Sequence, residues 1–186
     1  MDQTSFLKFL HTAEKLKCIT RHSWTSSGRQ ESVAEHSWRL ALMALLCKNE
    51  YPDMDINKVI AMSLLHDLGE ALTGDIPAFL KSESDDEAES KAIESLLSTL
   101  PQEEQQEFRM LFEDMEKMES DEAKLWKALD NMEALISHNE AALCTWLPLE
   151  HTANLTYGDE NCLWSPWTAK LKDLIRNDSI QKLKEL

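Results

Sequence analysis

The run Val59-Ile60-Ala61-Met62-Ser63-Leu64-Leu65 is apolar on almost every side, and it leads into His66-Asp67-Leu68-Gly69-Glu70-Ala71-Leu72-Thr73-Gly74-Asp75. A helix that is apolar all round belongs in a protein interior, so this pattern demands a fold thick enough to bury it. It also carries an imidazole and a carboxylate to the buried end. An unpaired carboxylate there costs several kcal/mol or takes up a proton. A divalent metal between the side chains removes that cost, although a lone His-Asp pair also suits an ordinary helix end whose side chains cap backbone groups. Gly69 and Gly74 bracket a short turn that swings Glu70 and Asp75 back toward the same end, and Pro77 stops regular helix.

The remaining segments are also helical in pattern. Phe6, Phe9, Leu10, Ala13 and Leu16 recur at three- and four-residue intervals, which predicts a first helix packing that stripe inward and exposing Lys8, Glu14 and Lys15. Arg21 to Gln30 breaks the period with Ser23, Ser26, Ser27 and Gly28 and reads as a loop, dense in the binding-type side chains Arg21, His22, Trp24 and Arg29. Ser32-Val33-Ala34-Glu35 is a capping box opening a helix to about Asn49, with His36 in its first full turn. Asp55 or Asn57 can cap the helix that delivers His66 and Asp67. Ser84-Asp85-Asp86-Glu87 reads as a second capping box, and Pro101 restarts a helix. Ser120 starts a long one with Asp130 at its middle, where aspartate has poor intrinsic propensity. Pro148 to Cys162 is the longest irregular stretch, and Trp164, Pro166 and Trp167 lead into a last helix through Leu171, Leu174 and Ile175. With no convincing strand, the expected fold is an all-α, irregular helical bundle.

A chain of 186 residues with 42% hydrophobic content suits one domain over residues 1–186 that needs no staples. The formal net charge of −15 argues against nucleic-acid polymers and membrane surfaces as partners. An anionic substrate therefore needs local positive charge for its capture. Cys18, Cys47, Cys144 and Cys162 are scattered without a disulfide framework, and no apolar run has the length of a membrane span, so a cytoplasmic location is expected.

His36, the His66-Asp67 pair and Asp130 together give the order H…HD…D over three helices. This resembles the HD-domain metal-dependent phosphohydrolases. The wording Glu31-Ser32-Val33-Ala34-Glu35-His36-Ser37, then His66-Asp67-x-x-Glu70-x-x-x-Gly74-Asp75-Ile76-Pro77, then Leu129-Asp130 looks like their 5′-deoxynucleotidase branch. The likeness covers roughly residues 5 to 145, leaving 146–186 as a C-terminal loop and helix. It implies that His36, His66, Asp67 and Asp130 bind one divalent ion, and this mixed N/O set suits Co²⁺, Mn²⁺, Ni²⁺, Fe²⁺ or Mg²⁺. His138 lies eight helical residues beyond Asp130, about 12 Å along the axis, too far to share the ion. The resemblance further implies Glu70 and Asp75 as the acid/base pair, without saying which does which. Arg21 corresponds to the branch's phosphate-binding arginine, and guanidinium suits bidentate phosphate contact. Where bacterial members tend to carry Trp next, this chain has His22, with Trp24 two residues on, so the contacts to sugar or base differ.

The expected activity is hydrolysis of deoxynucleoside 5′-monophosphates to deoxynucleoside and phosphate. The alternatives are another HD-type cleavage, of a cyclic dinucleotide or an alarmone, and a metal-stabilised binding protein without turnover. A homodimer is implied by the resemblance alone.

Overall fold

The computed structural model describes residues 1–77 and 79–185. Among these residues the molecule is an irregular bundle of α-helices with one small hairpin, in agreement with the all-α expectation. Helices α1 (Gln3–Ala13), α2 (Val33–Leu46), α3 (Ile56–Leu65), α4 (Glu70–Thr73), α5 (Glu83–Leu97), α6 (Gln102–Lys117) and α7 (Asp121–Glu140) are followed by the short α8 (Glu150–Ala153) and α9 (Asp159–Cys162) and by α10 (Pro166–Leu183). No helix among the described residues is long and apolar enough to cross a membrane. All four cysteines are free.

Local sequence signals set several boundaries. Ser32 caps α2 with the full reciprocal box: its hydroxyl accepts from the Glu35 amide at 3.3 Å, and Glu35 accepts from the Ser32 amide at 2.9 Å. Asp55 supplies the cap of α3, with its Oδ1 accepting from Asn57 and Lys58. Ser120 caps α7, and Ser165 caps α10 with Pro166 at the first helical position. The capping box expected at Ser84 lies two residues earlier. The Asp85 carboxylate accepts from the Ser82 amide at 2.9 Å and the Ser82 hydroxyl at 2.6 Å, so α5 begins at Glu83.

The core explains why three helices converge. Leu40 and Ala44 of α2, Val59 and Met62 of α3, and Leu125, Ala128, Leu129 and Met132 of α7 are fully buried in one cluster. These are the helices that carry the H…HD…D residues, so the ordinary hydrophobic core also fixes the spacing of the polar centre. Two expectations need correction. The segment Val59–Leu65 is not enclosed on every side, since Leu64 is 51% exposed. The α1 stripe is buried only at its lower end, through Leu16 and the half-buried Phe9 and Ala13, while Phe6 and Leu10 face solvent.

The segment Arg21–Gln30 is not a loop throughout. Strand β1 (Thr20–Trp24) pairs antiparallel with β2 (Gln30–Ser32), and the turn is closed by Thr25 N–H donating to the Arg29 carbonyl at 2.8 Å and by Gly28 N–H donating to that of Thr25 at 3.0 Å. Gly28 has φ +83°, a region glycine enters without steric cost. Thr-Arg-His-Ser-Trp lacks the apolar alternation that announces a strand, so the pairing is set by the turn.

Gly158 shows how tightly the C-terminal third is docked. Its φ is +70°, and a Cβ added there would lie 2.5 Å from Asn131 Cβ on α7. Gly158→Ala should therefore destabilise the fold by about 1–3 kcal/mol, read as a lower urea midpoint with unchanged slope. An unchanged midpoint would show that the segment is free to move off α7.

Candidate active site

His36 occupies the first full turn of α2, His66 caps the C-terminus of α3 with Asp67 next to it, and Asp130 lies mid-way along α7. Their donor atoms face one another. His36 Nε2 is 3.2 Å from His66 Nε2, 3.2 Å from Asp130 Oδ1 and 3.7 Å from Asp67 Oδ2. His66 Nε2 is 3.1 Å from Asp67 Oδ2 and 3.8 Å from Asp130 Oδ1. His36, His66 and Asp67 offer ligand atoms all within 4.8 Å of one another, a donor set fit for a divalent cation, while Asp130 lies outside that group and meets it through the two histidines.

The charge distribution points the same way. Burial works against ionised Asp67 and Asp130, yet His66 and Lys127, with the remaining histidine contacts, hold both carboxyls below their ordinary value. Burial and Arg21 oppose a charged His36, but Glu133 and Asp130 outweigh them and lift it to about 9. The carboxylates of the centre thus favour positive charge between them.

A surrounding layer fixes the orientation of each donor. Glu133, three residues after Asp130 on α7, is fully buried and pairs with His36 Nδ1. Its other oxygen accepts from Arg39 Nε at 2.6 Å, and Arg21 Nη1 lies 3.2 Å from the first. His66 Nδ1 is 3.0 Å from the Ser63 carbonyl, which leaves Nε2 turned to the centre. Asp130 Oδ2 accepts from Lys127 Nζ at 2.9 Å, so its Oδ1 faces the histidines. Glu31, buried, pairs with Arg21 at 3.3 Å and accepts from the Ser137 hydroxyl at 3.1 Å.

Glu70 opens α4 and is buried, and its Oε2 has no hydrogen-bond partner among the described residues. Burial, then the nearby Asp67 and Asp75, pushes its carboxyl up to about 9. Asp75 follows α4 in the turn after Gly74; burial raises it too, against the pull of Arg21. Perturbed carboxyls beside a donor cluster are what acid/base chemistry requires.

Beside this centre lies a cavity of about 180 Å³, lined by Arg21, His22, Asp75, Phe79, His138 and Tyr157 among others. His22 Nε2 is 3.0 Å from the Glu150 carboxylate, and its ring meets that of Phe79 edge-on at 5.8 Å. The structure therefore brings Arg21 and His22 to one cavity. It does not bring Trp24 there: that residue is half-buried at the far end of β1, two residues or about 6.6 Å along the strand. Arg29 is exposed and bound to Glu35, 2.9 Å from Nη1 to Oε2, away from the centre.

A model of the HD domain matches residues 13–167. The chain belongs to the HD-domain family. It is 35% identical over 140 residues to a 5′-deoxynucleotidase of Bos taurus, covering 73% of this chain and 67% of the relative. A 5′-deoxynucleotidase of Pectobacterium atrosepticum is 30% identical over 177 residues, covering 86% and 87%. Among solved structures, a protein of Magnetospirillum magnetotacticum described as a predicted metal-dependent phosphohydrolase is 28% identical, with a TM-score of 0.82 over 96% of this chain and 93% of that one.

Several residues around this HD-domain centre escaped the sequence reading, chiefly Glu133, Arg39 and the cavity-lining residues of segment 149–157. Glu133 had one usable signal: it lies one turn beyond Asp130 on the same face of α7. Its removal leaves Arg21 and Arg39 to share the buried Glu31 and takes the partner from His36 Nδ1. Glu133→Ala should accordingly cost about 3–5 kcal/mol in urea unfolding, and a loss under about 1 kcal/mol would mean that the cluster contributes nothing net.

Proposed function

We propose that this HD-domain protein is a 5′-deoxynucleotidase that hydrolyses deoxynucleoside 5′-monophosphates with one divalent ion held by His36, His66, Asp67 and Asp130. The observation that carries the reading is the clustering of His36, His66 and Asp67, with Asp130 Oδ1 3.2 Å from His36, beside a cavity that also presents Arg21 and Asp75. The deoxynucleotidase names of its relatives support the substrate class.

When bound, the ion supplies Lewis-acid polarisation of a phosphate oxygen and a more acidic water. The chain's own residues do the rest. Arg21 binds the phosphate oxygens, its charge held by Glu133, Asp67 and Glu31 despite burial. Asp75, which lines the cavity, and Glu70, whose carboxyl feels the charge of Asp67, are assigned as the pair that aligns the attacking water and protonates the leaving 5′-oxygen. His22, bound to Glu150, contributes to the wall that receives the nucleoside. Trp24 is not assigned a substrate contact. Co²⁺, Mn²⁺, Ni²⁺, Fe²⁺ and Mg²⁺ all suit the donor set. The reading includes a cytoplasmic site of action and a homodimer, for which the exposed Phe6, Leu7 and Leu10 of α1 are the apolar surface a second copy would cover.

Phosphate release from dAMP, AMP and 3′-dAMP, with each ion in turn, tests this reading. A pocket closed over C2′ strands the ribose hydroxyl without a partner at a cost of about 1–3 kcal/mol, so dAMP should be cleaved roughly 5- to 150-fold better than AMP, and 3′-dAMP poorly. Equal rates on dAMP and AMP would remove the sugar selectivity. No release from any of them would overturn the reading.

Three variants separate the roles. Arg21→Ala should lower kcat/KM by about 2–4 kcal/mol at unchanged metal content, with Arg21→Lys recovering part. Glu133→Gln, which retains shape but not charge beside His36 Nδ1, should weaken metal affinity about 10- to 100-fold in a chelator competition. An affinity equal to the parent's would detach Glu133 from the metal centre.

A further inference from the structure

The C-terminal third adds side chains to the cavity that the H…HD…D pattern does not include. Tyr157, between α8 and α9, lines the same wall as Arg21 and Asp75 and is 39% exposed. Its backbone is clamped from two sides. On the α7 side, Gly158 sits against Asn131 with no room for a Cβ, and Asn161 Nδ2 donates to Asn131 Oδ1 at 2.9 Å. Asn131 is the neighbour of Asp130, so the clamp is set next to a metal donor. On the α10 side, the fully buried Lys172 donates from Nζ to the Tyr157 carbonyl at 2.7 Å, with Asp159 Oδ1 at 3.6 Å. Arg176 Nε donates to the Leu155 carbonyl at 2.7 Å, and its Nη2 lies 2.6 Å from Asp159 Oδ1.

A buried ammonium is costly unless its partners are well placed. Lys172 is tolerated only with this segment docked, which makes the position of Tyr157 strongly specified. The phenol lies within the fields of Asp130, Lys127 and Arg21 and against the Asn131 side chain, which hydrogen-bonds it. Burial, then Asp130, holds it above the ordinary phenol value, so it remains a proton donor.

We propose that Tyr157 is a substrate-contacting residue whose hydroxyl donates a hydrogen bond to a phosphate oxygen of the nucleotide bound beside Arg21. Tyr157 and Arg21 line the same cavity, so an anion bound by that guanidinium lies in the space the phenol faces. The assignment rests on the 5′-deoxynucleotidase reading, but its test does not depend on turnover alone.

The full-length, Mn²⁺-loaded protein is titrated with inorganic phosphate in a calorimeter and assayed with dAMP. Tyr157→Phe keeps the ring and removes the donor. It should bind phosphate about 10-fold more weakly and lose about 10-fold in kcat/KM, at unchanged metal content. Tyr51→Phe is the control, because it deletes a hydroxyl bonded to Ser165 at 2.7 Å outside the cavity, and it should leave both quantities as they are. Phosphate affinity of Tyr157→Phe within twofold of the parent overturns the proposal, whatever happens with dAMP. If the parent binds phosphate but releases none from dAMP, the deoxynucleotidase reading fails while the affinity comparison still decides on Tyr157. A parent that binds no phosphate overturns both.

Discussion

The centre of this protein is built around an excess of buried negative charge. Glu31, Asp67, Glu70, Asp75, Asp130 and Glu133 crowd against Arg21, Arg39 and Lys127, with two imidazoles between them. Coulomb repulsion among carboxylates in a poorly screened interior is severe, and only opposite charge relieves it. Burial with Asp67 and Asp75 raises the Glu70 carboxyl, His66 and Lys127 hold Asp67 and Asp130 low, and Glu133 with Asp130 raises His36. A divalent ion at the proposed ligands would supply positive charge at the same place, and its removal should then lower the stability of the fold as well.

The helices make that imbalance sustainable. Because α2, α3 and α7 share a fully buried apolar cluster, their polar ends are not free to splay apart when charges repel. Glu133 then does a second job. It neutralises Arg21 and Arg39 and also fixes the tautomer and direction of His36, so one buried carboxylate links the arginine proposed for phosphate to the histidine proposed for metal. The hairpin β1–β2 carries Arg21 into this network and presents His22 to the cavity wall at Glu150.

What the sequence disclosed was the local chemistry. Ser32 with Glu35, Asp55 and Ser120 announce helix starts because a cap is decided within three residues. Asp130 stands out because aspartate is a poor mid-helix residue. The box at Ser82 rather than Ser84 was not separable, since two serines each have an acidic residue three positions on. Glu133 and Arg39 look like ordinary solvent-facing charges until the packing of α2 on α7 is known. The hairpin has no apolar alternation, and Leu64 and Leu10 are apolar yet exposed, so hydrophobicity misleads in both directions there. The segment around Tyr157 has no periodicity at all, and its position depends on Lys172, Gly158 and Asn131, each remote in sequence or uninformative alone.

Two imidazoles and two carboxylates on three helices are proposed to share one ion. Pulsed electron paramagnetic resonance of the protein loaded with one equivalent of Mn²⁺ tests it at the atom level. The account predicts a single bound Mn²⁺ per chain coupled to two imidazole nitrogens, with one coupling lost in His36→Gln and the other in His66→Gln. A bound Mn²⁺ that shows no imidazole coupling, or couplings unchanged in both variants, would contradict it.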